Sequence, residues 1–127
     1  PGRQCELRPT CPSRKSREGQ RGIISCLTCS PDHSGLFAAG SYAGSVGLYV
    51  DNSPQLLCVL GGHRGGVTQV RFSHDGIHLY TGARQDENIL CYDVRQSQQP
   101  LASFARRADT NQRIGFDLSA DSRALVT

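Results

Sequence analysis

The sequence predicts an all-β fold assembled from repeated four-stranded units, and three observations point there. Apolar residues alternate with a period of two in short runs, as in VTQVRF at residues 67–72. Turn signals rich in Gly, Asp, Ser and Pro separate those runs, and the chain holds 14 Gly and 6 Pro among its 127 residues. The pattern also returns: Gly40 recurs as Gly82 and Asp51 as Asp93, a spacing of 42 residues. A four-stranded propeller blade takes about 40–45 residues, so this is the period of a blade.

The elements follow in order. QCELRPT, near the start, reads as the outer strand of a preceding blade, and a basic loop continues it to residue 22. Residues 23–64 form a first complete blade: IISCLTC, the turn SPDHSG, LFAAGS, the turn YAGS, VGLYVD, the loop NSPQ and LLCVLGGH. Residues 65–108 form a second: VTQVRF, the turn SHDG, IHLYTGA, the turn RQDE, NILCYDV, the loop QSQQP and LASFA. Residues 109–127 begin another, with RIGFDL, SADS and RALVT, which stops inside its second strand. The expectation is a propeller fragment of about two complete blades flanked by two partial ones. Propellers have about four blades or more, so this piece alone is expected to be marginal or prone to aggregate.

Composition narrows the function. The chain is 37% hydrophobic and 20% charged, which permits a packed core. It lacks an apolar run long enough to span a bilayer, and its start shows no apolar signal segment, so no membrane role or secretion is expected. The net charge of +3 is uneven. Arg3, Arg8, Arg14, Lys15, Arg17 and Arg21 outweigh Glu6 and Glu18 in residues 1–22, while the remainder is slightly acidic. Such a basic stretch suits phosphate or a solvated loop.

Six cysteines at irregular spacing read as reduced thiols. Cys26 and Cys29, with His33 nearby, have zinc-like spacing. In a strand, however, positions i and i+3 face opposite sides, so the thiols read as small buried core residues and no metal is expected. Asp32-His33-Ser34 has the letters of a hydrolytic triad, but adjacent residues cannot converge as a triad must. GGHRGG at residues 61–66 is followed by no helix that would bind phosphate. The expectation is no catalytic residue, no cofactor and no small-molecule substrate.

The stretch GGH, SHDG, TGA, DENI and CYD resembles the WD-repeat family. In that family a His, a Ser or Thr, an Asp and a Trp form a hydrogen-bonded tetrad in each blade. The resemblance places it on His63, Thr81, Asp86 and Tyr92, with Tyr in place of Trp and one residue inserted before Asp86. The first blade lacks a clear tetrad, having Ser41 and Tyr42 near its turn and Val50 in the Trp position. The family's geometry also puts the loop entering each inner strand and the turn between second and third strands on one rim. Arg21, Tyr42, Arg64, Arg84 and Arg113 occupy those loops, a basic arc suited to RNA, with Asp86, Glu87 and Asp109 as the offsetting acids. Residues 92–95, YDVR, resemble the motif by which WD-repeat substrate receptors engage cullin-RING ubiquitin ligases, which sets a protein-binding scaffold as the alternative.

More specific stretches resemble the telomerase Cajal body family of WD-repeat proteins: PGRQCELR, GIISC, LLCVLGGHRGGVT, GARQDENILCYDVRQS and TNQRIGFDL. That resemblance implies a nuclear RNA-binding scaffold. Its implied partners are small Cajal body RNAs and telomerase RNA, telomerase holoenzyme proteins including dyskerin, and Cajal body proteins. Its implied locations are the nucleus, Cajal bodies and telomeres, with a further scaffolding role in DNA repair.

Overall fold

The computed structural model describes residues 19–32, 34–51, 56–96, 99–106 and 114–127, and among them every regular element is a strand. The expected outer strand QCELRPT, Cys5, Cys11, His33, Asp109 and Arg113 lie outside the described residues. β1 (Ile24–Cys29), β2 (Leu36–Ser41), β3 (Val46–Val50) and β4 (Leu56–Leu60) pair in that order as one antiparallel sheet. β5 (Val67–Phe72), β6 (His78–Ala83), β7 (Asn88–Asp93) and β8 (Ala102–Ala105) repeat the arrangement. β9 (Asp117–Leu118) and β10 (Leu125–Val126) pair as a two-stranded start of another sheet.

Alternation decides which face is buried. Thr28, Ala38, Leu48 and Cys58 lie in register across the first sheet. Phe72, Leu79 and Tyr92 do so across the second. Ala38, Leu48 and Leu60 join Val70, Leu79 and Leu90 in one core between the sheets. Leu48 is 2% exposed and Leu79 0%, and burying each contributes about 1.5–3 kcal/mol.

The inner strands β1 and β5 lie side by side. The Ser25 hydroxyl reaches the carbonyls of Gly40 in its own sheet and Val67 in the next. Gln69 makes the next junction: its amide donates to the Phe116 carbonyl at 2.7 Å and accepts from the Phe116 N–H at 2.9 Å. A side-chain amide thereby copies a strand ladder across the gap between sheets.

The turns after the inner strands also repeat. Ser30, Ser73 and Ser119 each donate a hydroxyl hydrogen bond to the aspartate two residues on, Asp32, Asp75 and Asp121. Each carboxylate also takes a backbone N–H two residues further, from Ser34, Ile77 and Arg123. Asp32 and Ser34 are therefore turn residues. Cysteine placement departs from the sequence reading. Cys26 is half-buried against the core, but Cys29 is exposed, because the alternation that turns Cys26 inward turns Cys29 to the opposite face.

Candidate nucleic-acid interface

His63 sits just before β5, and its side chain is 1% exposed. Its Nδ1 lies 2.9 Å from Asp86 Oδ2 and its Nε2 lies 2.6 Å from Thr81 Oγ1. Asp86 Oδ1 also accepts the Asn88 N–H at 3.0 Å, and Oδ2 the Arg64 N–H at 3.3 Å. Burial is the largest influence on His63 and pushes its pKa below the usual value of 6.5; the charge of Arg106 acts the same way, and together they outweigh the pull of Asp86. Burial alone would raise the Asp86 carboxyl, but the bonds from His63, Asn88 and Arg64 prevail and hold it below the ordinary range. A neutral ring beside an ionised carboxylate has one consistent arrangement: Nδ1–H donates to Asp86 and Nε2 accepts from the Thr81 hydroxyl.

Both shifts have the same sign for stability. A histidine with a depressed folded value and an aspartate with a depressed folded value each bind protons more readily when unfolded, so acid favours unfolding. The full-length protein is expected to hold its denaturation midpoint above about pH 7 and lose stability as pH falls below about 6.5. A His63→Gln variant should show a shallower loss between pH 6.5 and 5. An equal slope in both proteins would show that His63 titration is not involved.

Tyr92 is buried, but its hydroxyl donates to the Gly61 carbonyl rather than to Thr81. The structure thus joins His63, Thr81 and Asp86 directly, while Tyr92 ties β7 to the loop that carries His63. A phenol reaches past the site where a Trp N–H would end, which is why it meets the backbone beyond.

The first blade has its own network, which the sequence reading missed. Gln20, 1% exposed, donates to the carbonyls of Ala39 at 2.7 Å and Ser45 at 3.2 Å, and accepts from the Tyr49 hydroxyl at 2.8 Å. Gln20 precedes β1 by the interval at which His63 precedes β5. A 42-residue offset carries His63 onto Arg21, but the inner strands are offset by 43, which carries it onto Gln20. Gly47 makes room, since a Cβ there would stand 2.5 Å from Gln20 Oε1.

Four of the five rim candidates are among the described residues and lie on loops. Arg21 precedes β1 and is exposed; Arg64 precedes β5 and is exposed; Tyr42 and Arg84 open the β2–β3 and β6–β7 turns. Tyr42 and Arg84 occupy the same place in successive sheets, and the structure brings them together: the Arg84 guanidinium carbon lies 4.5 Å from the Tyr42 ring centroid. GGHRGG permits this. A Cβ on Gly65 would stand 1.9 Å from the Arg84 carbonyl, and one on Gly66 would stand 2.8 Å from the Tyr42 ring. The Arg84 N–H also bonds the Gly66 carbonyl at 2.9 Å.

Of the acids expected to offset the arginines, Asp86 is 5% exposed and turned onto His63, so it keeps its charge but makes no side-chain ion pair with Arg64 or Arg84, and Glu87 is exposed on the same turn. Arg71, Arg95 and Arg123 each have an aspartate within 4.0 Å, and Arg106 is buried against the carbonyls of Ala83 and Ile114. Arg64 and Arg84 have no carboxylate partner among the described residues. Arg95, the candidate ligase contact, is held through Nε and Nη2 on Asp93, both at 3.1 Å.

The WD domain, G-beta repeat model matches residues 54–93, which run from β4 to β7. Telomerase Cajal body protein 1 of Homo sapiens is 47% identical over 127 residues, covering 100% of this chain and 22% of the human protein. Its Bos taurus counterpart is 49% identical over 129 residues, covering 100% of this chain and 23% of the bovine protein. The chain therefore spans less than a quarter of the curated relatives it matches. Among solved structures, that of U3-55K superposes with a TM-score of 0.62 and 26% identity, covering 69% of this chain and 28% of that one. The chain carries a WD repeat and has the fold of a β-propeller segment, and along its whole length it is similar to the proteins named telomerase Cajal body protein 1.

Proposed function

We propose that this propeller segment serves a nuclear RNA-binding scaffold. In this reading it recognises the Cajal body box of small Cajal body RNAs and telomerase RNA and directs those complexes to Cajal bodies and telomeres. Telomerase holoenzyme proteins including dyskerin, and Cajal body proteins, are the protein partners, and scaffolding in DNA repair is a further role. The observation that carries the reading is the rim: Arg64 and Arg84 without carboxylate partners among the described residues, and Tyr42 beside Arg84, on loops of two neighbouring blades. The names of the relatives supply telomerase and the Cajal body. The mechanism is non-covalent, with rim arginines on the RNA backbone and exposed bases read by stacking and edge hydrogen bonds.

Crosslinking of the full-length protein to RNA in cells, with sequencing of the bound species, tests the reading. Small Cajal body RNAs should be enriched, with contacts in terminal loops. Arg84→Ala should lower RNA retention about tenfold while the protein remains folded, because a cation held against a π face is worth roughly 0.5–2 kcal/mol and its charge on phosphate is lost as well. Strong co-purification of proteins with no RNA above background would instead favour the protein-binding scaffold. Loss of a cullin-RING adaptor in Arg95→Ala would identify that scaffold as a ligase receptor; the hold of Asp93 on Arg95 counts against it.

A further inference from the structure

We infer that the Tyr42–Arg84 stack is a nucleobase subsite, a two-layer platform that receives one unpaired base, separate in role from the arginines that hold phosphate. The inference rests on the RNA-binding reading and assigns its base-reading element. Tyr42 is 48% exposed, which is high for an aromatic side chain on an ordered turn. Its backbone is held by the Tyr42 N–H to the Ile23 carbonyl at 2.9 Å, and its ring lies so near Gly66 that a Cβ there would stand 2.8 Å from Cδ1. Arg84 is equally fixed at its backbone, through Gly66. The turn that follows it passes through Gln85 at φ 53°, a left-handed conformation that costs a side chain about 1–2 kcal/mol and is retained here beside the platform.

A guanidinium over an aromatic ring presents a second planar face. Arg84 is partly exposed and has no carboxylate partner among the described residues, so its second face is the one a further π system would take. A nucleobase fits because it is planar, and its phosphate is met by the neighbouring charge of Arg64. A phosphate alone needs no aromatic ring, so the ring is the feature that points to a base. The platform also spans two blades, so it exists only while the blades are docked.

The test uses the full-length protein and a stem-loop RNA taken from a small Cajal body RNA, compared with the same stem carrying an abasic loop. The abasic loop keeps the phosphates and removes the bases. Wild type should bind the intact loop about tenfold more tightly than the abasic one. Tyr42→Ala and Arg84→Lys should each lose about that factor on the intact loop and nothing on the abasic loop. Arg64→Ala should weaken both loops and reduce the slope of log affinity against log salt by about 0.7. Arg84→Lys keeps the charge and alters only the planar group, so it separates stacking from charge even if Tyr42→Ala folds poorly. A deoxyribose loop bound equally well supports the base site and removes the 2′-hydroxyl from recognition. Intact-loop binding unchanged in both Tyr42→Ala and Arg84→Lys overturns the subsite while leaving the RNA reading standing. Failure of wild type to bind either loop overturns the RNA reading itself.

Discussion

Replacing His63 with tyrosine is expected to destabilise the full-length protein by about 2–4 kcal/mol, because it takes the ring N–H from a buried, ionised Asp86 and forces a larger side chain into its place. The ring nitrogens serve Asp86 and Thr81 at once, and both partners are nearly or fully buried. Tyrosine removes both bonds and puts a larger ring into a site where the His63 side chain is already 1% exposed. Asp86 would keep only the backbone N–H groups of Arg64 and Asn88. Glutamine at position 63 should lose far less, about 1 kcal/mol, because an amide carries a donor and an acceptor and Gln20 already fills the equivalent place in the first blade. Denaturant unfolding of both variants checks this. A tyrosine variant as stable as wild type would show that the network does not hold the blade.

The second large effect is expected at Gly65. Alanine there would bring a Cβ to 1.9 Å from the Arg84 carbonyl, and backbone cannot swing aside as a side chain would. The loop must lift off the β6–β7 turn, stretching the Arg84 N–H bond to Gly66 and separating Arg84 from Tyr42. A loss of about 2–3 kcal/mol is expected, as for other insertions into packed positions. Gly61, four residues earlier in the same glycine-rich run, has nothing within 4 Å of a Cβ, and alanine there should be neutral within about 0.5 kcal/mol. Parallel melts of the two variants decide the matter, and equal stability would mean that the rim loop adapts freely.

Much of the fold was legible because the signals are local. VTQVRF and LFAAGS coincide with β5 and β2, since period-two alternation and flanking turn residues act within a few positions of each other. The strands at residues 117–118 and 125–126 are shorter than the segments RIGFDL and RALVT, and among the described residues they pair only with each other. The repeated Ser-x-Asp turns were visible as turns, though not as carboxylates each taking a hydroxyl and a backbone N–H.

The candidate site was legible only in part. His63, Thr81 and Asp86 could be named through a motif, yet Gln20 could not, because turn length changes the repeat offset from 43 at the inner strands to 42 at the second and third strands. By itself, then, the sequence determined the strand order, the repeat and the loops that carry arginine, since alternation, turn chemistry and spacing are properties of neighbouring residues. Tertiary structure decided which glycines are obligatory, that Tyr92 turns to Gly61, and that Asp86 faces His63 rather than the rim. It also set Arg84 against Tyr42. The Arg84–Tyr42 contact depends on how far apart two packed sheets come to rest, a distance settled by the core between them, and the others on how a sheet meets the loop that enters it, rather than on any single stretch of chain.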